Sequence, residues 1–320
     1  MIRALLVLSA FLAVLSITSL ATRHAVGQFD DYANPDRRAE AQEEPQPPFG
    51  PLPPEHEKYL DQILEYWEFS SSKIERYRCR FHRWEYDPVF GPRDTYKTLS
   101  EGVIKYAAPD KGLFQVERMR HYSPPEREGG ESKYVERPNE HGEFWICDGQ
   151  SVFEFDYANE TLKERELPPE LRGKAIVDGP LPFLFGAKAE SIKQRYWVRV
   201  VTPREAEGEY WLEAYPKTRH DAANYKKVEV IIDERDFLPK ALQIYDVNYD
   251  VRTHPSRTVL SFENRDINWR EAADLDPLNL FTREFHRPST PRGWKKVVIP
   301  YDEEPPPDNS ASRGGGRLPR

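Results

Sequence analysis

The stretch from Trp145 to Tyr157, WICDGQSVFEFDY, places the thiol of Cys147 next to the carboxylate of Asp148 inside an apolar run. Such a pair could act as a nucleophile or bind a metal ion. Gly149 points to a simpler role, because Asp-Gly between two alternating apolar runs is typical of a tight hairpin turn. No second thiol and no histidine lies beside the pair. We therefore predict a hairpin turn here, without chemistry.

The other reactive residue types form no known motif. The eight histidines never fall within five residues of one another, whereas zinc sites usually draw on close pairs. The sequence contains no HExxH, GxSxG or CxxC motif and no phosphate-binding glycine loop. We predict no metal, no cofactor and no enzymatic activity. One enzymatic alternative stays open, a secreted hydrolase whose two carboxylates meet only on folding. We interpret the pair Glu164 and Glu166 instead as a solvated strand face.

The first residues predict export. A lone Arg3, an apolar run to Leu20 and small residues up to Gly27 form the pattern of a secretory signal peptide over residues 1–27. The alternative is a retained N-terminal membrane anchor. We expect an exported protein of the periplasm or cell envelope. In an oxidising compartment, Cys79 and Cys147 could form a disulfide, or they could be two small buried residues.

The rest of the chain divides by composition. Residues 28–54 are rich in proline and acidic residues and predict a disordered tether, and residues 301–320 predict a disordered polar tail. Residues 55–300 predict one folded domain between them. With 46 basic and 54 acidic residues the net charge is −8, which argues against a nucleic-acid partner.

The periodicity of the domain predicts one helix followed by a sheet. After Pro54, the side chains of Tyr59, Leu60, Ile63, Leu64 and Trp67 fall at helical spacing. Then come short runs of aromatic and β-branched residues separated by turn residues, which predict about eleven antiparallel strands. The run 228–246 alternates as a hairpin, the polar insertion 122–142 predicts a long loop, and the segment 281–300 predicts a last short strand. The fold class is α+β and β-dominated, a curved sheet or barrel with helices over it.

The order of these segments resembles the LolA and LolB family of periplasmic lipoprotein carriers, and in particular its secreted members of unassigned role. The resemblance covers most of residues 58–298 and is carried by YRCRFHRWEYDPVFG, SEGVIKYAAPDKGLFQVER, WICDGQSVFEFDYANETL, GPLPFLFGAKAESIKQRYWVRVV, YKKVEVIIDERDFLPKALQIYDVN and TVLSFENRDIN. It implies a half-open antiparallel β-barrel with an N-terminal helix, a helical lid and an apolar interior that holds lipid or lipoprotein acyl chains.

We expect the following residues to line that interior and its lid: Trp67, Phe81, Phe114, Phe144, Phe155, Phe183, Leu184, Phe185, Trp211 and Ile244. The lid would be the segment 179–186, GPLPFLFG, whose alternative interpretation is an ordinary core plug under a loop. The strand aromatics could equally fill a packed barrel. A cargo-contacting arginine stays unassigned among Arg76, Arg78, Arg80 and Arg83.

The function predicted from these observations is a monomeric, non-enzymatic binder or carrier of acyl groups. A structural or regulatory envelope protein, which uses the same fold to contact a protein partner, is the second possibility.

Overall fold

The computed structural model describes residues 45–127, 130–169, 172, 183–184, 188–268 and 285–301. Within these ranges three helices accompany a sheet of thirteen strands. The helices are α1 (Pro54–Ser72), α2 (Ala189–Arg195) and α3 (Arg219–Ala222). The strands are β1 (Arg76–Tyr86), β2 (Thr98–Ala107), β3 (Lys111–Ser123), β4 (Lys133–Val135), β5 (Phe144–Cys147), β6 (Ser151–Asp156), β7 (Thr161–Glu166), β8 (Tyr196–Val200), β9 (Glu209–Pro216), β10 (Lys227–Asp233), β11 (Pro239–Tyr245), β12 (Arg257–Ile267) and β13 (Lys295–Ile299).

The strands form one sheet in the order β13-β7-β6-β5-β3-β2-β1-β12-β11-β10-β9-β8, and β4 pairs with β3. The described part of the sheet is not closed into a barrel, because β8 and β13 lie at opposite ends of this order. The predicted β-dominated class is confirmed. Three details were wrong. The sheet has thirteen strands, whereas about eleven were predicted. The polar insertion contributes β4 instead of only a loop, and β13 pairs with β7 in parallel, whereas every other pair is antiparallel.

The helix α1 covers one face of the sheet, which we call the inner face. Its buried residues Leu60, Ile63, Leu64, Trp67 and Ser71 recur every three or four positions and so form one stripe. The apolar members of that stripe share a core with buried side chains of β1, β2, β3, β5 and β8 to β12. Tyr59 was predicted to belong to the stripe but is about half exposed.

Alternation along β1 shows which side chains face the core. Tyr77, Cys79, Phe81 and Arg83 are buried on the inner face, and the residues between them are partly exposed on the outer face. Their partners on β2 are Tyr106, Ile104, Gly102 and Ser100. Since directly paired residues of antiparallel strands share a face, the inner face can be traced from strand to strand.

The predicted hairpins are confirmed. Val228 pairs with Ile244 and Val230 with Leu242 across β10 and β11. At the turn between β5 and β6, the Asp148 carboxylate accepts hydrogen bonds from the backbone N–H groups of Gln150 and Ser151. Gly149 adopts a positive φ of 91°, as its place in the turn requires. The Cys147-Asp148 pair is therefore part of a hairpin.

Part of the range predicted as a tether contacts the sheet. The ring of Phe49 lies 6.2 Å from that of Tyr215, and Leu52 packs against the core. The signal peptide and the polar tail lie outside the described residues, so the predicted domain limits stay predictions. Among the helices that the structure describes, none has the length and apolar character needed to cross a membrane.

Candidate functional site

Three stacked rings form an apolar platform on the inner face, which we call the aromatic floor: Phe81 on β1, Phe114 on β3 and Trp145 on β5. Ring centroids are 4.7 Å apart between Phe81 and Phe114, and 5.5 Å apart between Phe114 and Trp145. Gly102 of β2 makes room for this row. A Cβ there would lie 1.9 Å from the Gln115 carbonyl oxygen and 2.8 Å from the Phe81 ring.

The floor belongs to the same core as α1 and the described part of the predicted lid. Phe183 stacks 6.4 Å from Trp67 and lies 4.9 Å from the ring of Tyr196. Phe183 and Leu184 are both buried. The described part of the predicted lid therefore packs under α1, and this contact agrees with either a lid or a core plug.

The inner face becomes polar beyond Phe81. Arg83 is buried, and its Nη1 donates a 2.5 Å hydrogen bond to Glu143, which precedes β5. Its Nε lies 3.5 Å from a Glu85 carboxylate oxygen. Burial alone would lower the pKa of the Arg83 guanidinium, but the attraction of Glu143 and Glu85 outweighs burial and the pKa is raised. Arg83 is thus a stable cation.

Of the four arginines considered from the sequence, Arg83 alone points into the core, because Arg76, Arg78 and Arg80 occupy the partly exposed positions of β1. Ser100, directly opposite Arg83 on β2, is fully buried. The sequence itself indicates that Arg83 faces inward. In CRFHRW, Cys79, Phe81 and Arg83 alternate, so the third inward position is charged.

The structure brings together six of the ten predicted cavity residues: Trp67, Phe81, Phe114, Phe183, Leu184 and Ile244 all belong to the core of the inner face or pack against it. Phe144 and Phe155 instead stack 4.4 Å apart on the outer face, against a separate small core around Ile146 and Phe285. Trp211 also lies on the outer face, since its neighbour Leu212 faces inward. Phe185 lies outside the described residues. Trp145 was missed.

Both cysteines are free and buried, so the interpretation as two small buried residues is confirmed and there is no disulfide. Burial raises the pKa of the Cys79 thiol to about 11 and that of Cys147 to about 12. The Cys147 thiol donates a hydrogen bond to the Asp110 carbonyl. Because the thiolate is the reactive form, both cysteines are poor nucleophiles at neutral pH.

The acidic residues are held as paired carboxylates. Glu164 was wrongly predicted to be solvated. It is buried and forms ion pairs with Arg287 and Lys296. Burial would raise the pKa of Glu164, but hydrogen bonds from these two cations lower it. In the described ranges, every carboxyl group with a clear shift has its pKa lowered: Glu101, Asp156, Glu164, Glu209, Glu213, Asp233 and Asp250. A general acid needs the opposite shift.

No group of three or more His, Cys, Asp or Glu side chains within the described residues is placed to hold a metal ion.

An exposed aromatic patch flanks α1 on its solvent side. Tyr66 and Phe69 are each 58% exposed. The Tyr66 ring lies 5.1 Å from Phe237, which stacks 5.5 Å from Tyr210. The ammonium of Lys73 lies 3.4 Å from the centroid of the Phe69 ring. Contiguous exposed aromatic groups of this kind often mark an interaction surface.

Comparison with known proteins gives only distant matches. No protein-family model matches the chain, and no curated protein matches it in sequence. An uncharacterised conserved protein from Thermus thermophilus is 8% identical, with a TM-score of 0.40 over 75% of this chain and 99% of that one. A LolA superfamily protein from Nitrosomonas europaea is 13% identical, with a TM-score of 0.31 over 71% and 99%. MucB in its complex with MucA, from Pseudomonas aeruginosa, is 11% identical, with a TM-score of 0.33 over 68% and 59%. These matches are distant similarities in structure alone.

Proposed function

We propose that the chain is an exported, non-enzymatic binding protein whose domain, residues 55–300, holds an acyl chain of a lipid or lipoprotein on the aromatic floor beneath α1. The observation that carries this proposal is the inner face itself. Stacked rings from three strands share one core with the apolar stripe of α1, and the inward-facing residues of β1 change from apolar Phe81 to charged Arg83. A surface that is apolar at one end and polar at the other matches an amphiphile.

The energetics suit such a ligand. Each buried methylene group contributes roughly 0.8 kcal/mol, so about ten of them provide an affinity near one micromolar without any charged contact. An acyl chain would displace the Phe183 ring from Trp67 of α1, because Phe183 belongs to a segment outside the sheet. We therefore expect binding to compete with the packing of Phe183.

Two measurements test the proposal: native mass spectrometry of the purified protein and displacement of a bound probe by an acyl lipid. Native mass spectrometry of the protein purified from its own cells should detect a co-purifying lipid, and a long-chain acyl lipid should displace the neutral probe N-phenyl-naphthylamine. The variant Phe114→Leu should weaken acyl binding. Phe155→Leu is the matched control, because Phe155 lies on the outer face. Bare protein together with no displacement would refute the proposal.

A protein-binding role is the second candidate, and the observation that favours it is the pair of exposed rings Tyr66 and Phe69, with half-buried Tyr210 and Phe237 beside Tyr66. In this role residues 30–54 would act as a docking arm and the patch as the contact surface. Deleting residues 30–48, which spares Phe49 and Leu52, or introducing Phe69→Ser should abolish capture of a defined envelope partner and leave lipid binding intact. Loss of lipid binding alone, with capture retained, would contradict this role.

The hydrolase alternative gains no support from the acidic residues. Glu85 and Glu143 both contact Arg83, and Glu154 and Asp156 both contact Lys163. Burial would raise the pKa of Asp156, but hydrogen bonds from Lys163 and Asn159 lower it, whereas a general acid needs a raised pKa.

A further inference from the structure

Among the buried polar atoms without a hydrogen-bond partner in the described residues, Nε of Arg83 and Oγ of Ser100 belong to directly paired residues of the inner face. Arg83 is 4% exposed and Ser100 is fully buried. Glu85 lies 3.5 Å from the Arg83 Nε, which is too far for a good hydrogen bond. Buried polar groups are nearly always bonded, so two such atoms on directly paired residues require an explanation.

These atoms lie at the border of the aromatic floor. Arg83 and Phe81 are two residues apart on β1 and share the inner face, which places them about 7 Å apart along the strand. A lipid chain resting on Phe81 therefore brings its first oxygen atoms to Arg83 and Ser100. The Glu85 and Glu143 side chains next to them are 23% and 18% exposed, so this end of the face borders on solvent.

The chemistry of the two atoms selects an oxygen acceptor. The guanidinium Nε–H can only donate, and the serine hydroxyl can donate as well. The local charge determines which acceptor is preferred. One guanidinium faces two carboxylates, Glu85 and Glu143, so the net charge beside the donors is negative. An incoming carboxylate would be repelled, whereas an uncharged carbonyl would not be.

We propose that Arg83 Nε and Ser100 Oγ form a subsite for an uncharged carbonyl oxygen, so that the ligand is an ester-linked acyl lipid in preference to a free fatty acid. This inference rests on the proposed function, because it specifies the polar end of the same bound molecule.

The test compares palmitic acid with monopalmitoylglycerol, two probes that share one acyl chain. Each is titrated against the full chain loaded with N-phenyl-naphthylamine at neutral pH. We expect the glyceride to bind at least about ten-fold more tightly, because the carboxylate is repelled beside Glu85 and Glu143. The variant Ser100→Ala should weaken the glyceride about five-fold, the equivalent of one hydrogen bond, and leave palmitate nearly unchanged.

Two further variants sharpen the test. Ser261→Ala is the matched control, since Ser261 Oγ also lacks a hydrogen-bond partner among the described residues but lies opposite His82 on the outer face. It should change neither affinity. Glu143→Gln should strengthen palmitate binding more than glyceride binding, because it removes one negative charge beside Arg83. Circular dichroism and thermal unfolding establish that each variant is folded.

The possible results separate the two proposals. If both probes bind equally well and Ser100→Ala changes neither, the subsite is wrong and acyl binding stands. Palmitate binding more tightly than the glyceride would also overturn the subsite. If neither probe displaces N-phenyl-naphthylamine, the proposed function itself fails.

Discussion

At the scale of single residues, a contribution to the stability of the domain does not account for the burial of a charged side chain at Arg83. A buried ion pair loses much of its attraction to the cost of removing both charges from water. Leucine at this position would continue the apolar row that includes Leu260, the Arg83 partner on β12, and Leu242 beyond it. The presence of a charge within that row is therefore better explained by ligand recognition than by folding.

The double variant Arg83→Met with Glu143→Leu tests this explanation. Because apolar side chains of similar size replace both members of the ion pair, we expect the free energy of unfolding to stay equal or to rise by about 1–4 kcal/mol. Glu143→Gln alone should instead lower it by about 1–3 kcal/mol, because Arg83 stays buried with a weaker partner. Urea denaturation of the three proteins measures both changes. A clear loss of stability in the double variant would show that the charge serves the fold.

Asp233 predicts a pH dependence of stability. Hydrogen bonds from Arg235 lower the pKa of its carboxyl group, burial opposes them, and the charge of Arg265 lowers it further. The folded pKa thus lies below the unfolded value near 3.9. A lowered pKa stabilises the fold above the unfolded value, and this contribution is lost as the pH falls toward the folded value.

Asp233→Asn should therefore lower the free energy of unfolding by about 1–3 kcal/mol at neutral pH. The difference from the wild type should shrink as the pH falls below about 4, where Asp233 begins to take up a proton in the unfolded chain. Urea denaturation at neutral pH and near pH 3 measures both values. Glu65→Gln, on the exposed side of α1, is the control and should show little change at either pH. A constant difference would contradict the prediction.

At the scale of elements, the amphipathic α1 supports a direct comparison. Leu64 is almost fully buried in the core, whereas Phe69 is mostly exposed on the same helix. Leu64→Ala should cost about 2–5 kcal/mol in unfolding free energy, because it removes apolar contacts and leaves a cavity. Phe69→Ala should cost less than about 1 kcal/mol, since its contact with Lys73 is a solvent-exposed cation–π pair. Thermal unfolding of both variants measures the difference, and equal losses would contradict the assigned faces.

The elements that the sequence predicted well are local. Helical spacing identified α1, and alternation with turn residues identified the hairpins, because these patterns are read from neighbouring residues. The pairing of β13 with β7 was unpredictable, since the two strands are far apart in sequence and meet only through the tertiary fold. The strand β4 was missed because KYV is short and begins with a charge.

The candidate site was predicted only in part, for a reason that lies in the strands. Alternation shows which residues of a strand share a face, but not which face the helix covers. In FWIC both faces are apolar, so Phe144 could not be separated from Trp145. Irregular pairing also shifts the pattern between Glu101 and Gly102. Phe114 was expected on the inner face and lies there, whereas Trp145, its neighbour in space, was not among the expected residues.

At the scale of the whole molecule, one open sheet carries two separate apolar regions. The larger core lies between α1 and the inner face, and the small core of Leu113, Ile146 and Phe285 lies on the outer face near β13. The outer faces of β8 to β12 carry charged ladders such as Arg199, Glu213 and Lys227 instead. The proposed acyl ligand would therefore have one large apolar region to occupy, the region that borders Arg83.

That arrangement predicts how affinity depends on ligand length. Monoacylglycerols with successively longer chains should bind about four-fold more tightly for each added methylene, because each buries roughly 0.8 kcal/mol of apolar surface. The gain should stop once the chain outgrows the inner face and its end stays in water. Displacement of N-phenyl-naphthylamine measures the series, and Phe155→Leu should reproduce it because the outer face takes no part. Affinities that do not depend on chain length would show that the ligand binds by its polar group alone, and a binding site on the aromatic floor would then be wrong.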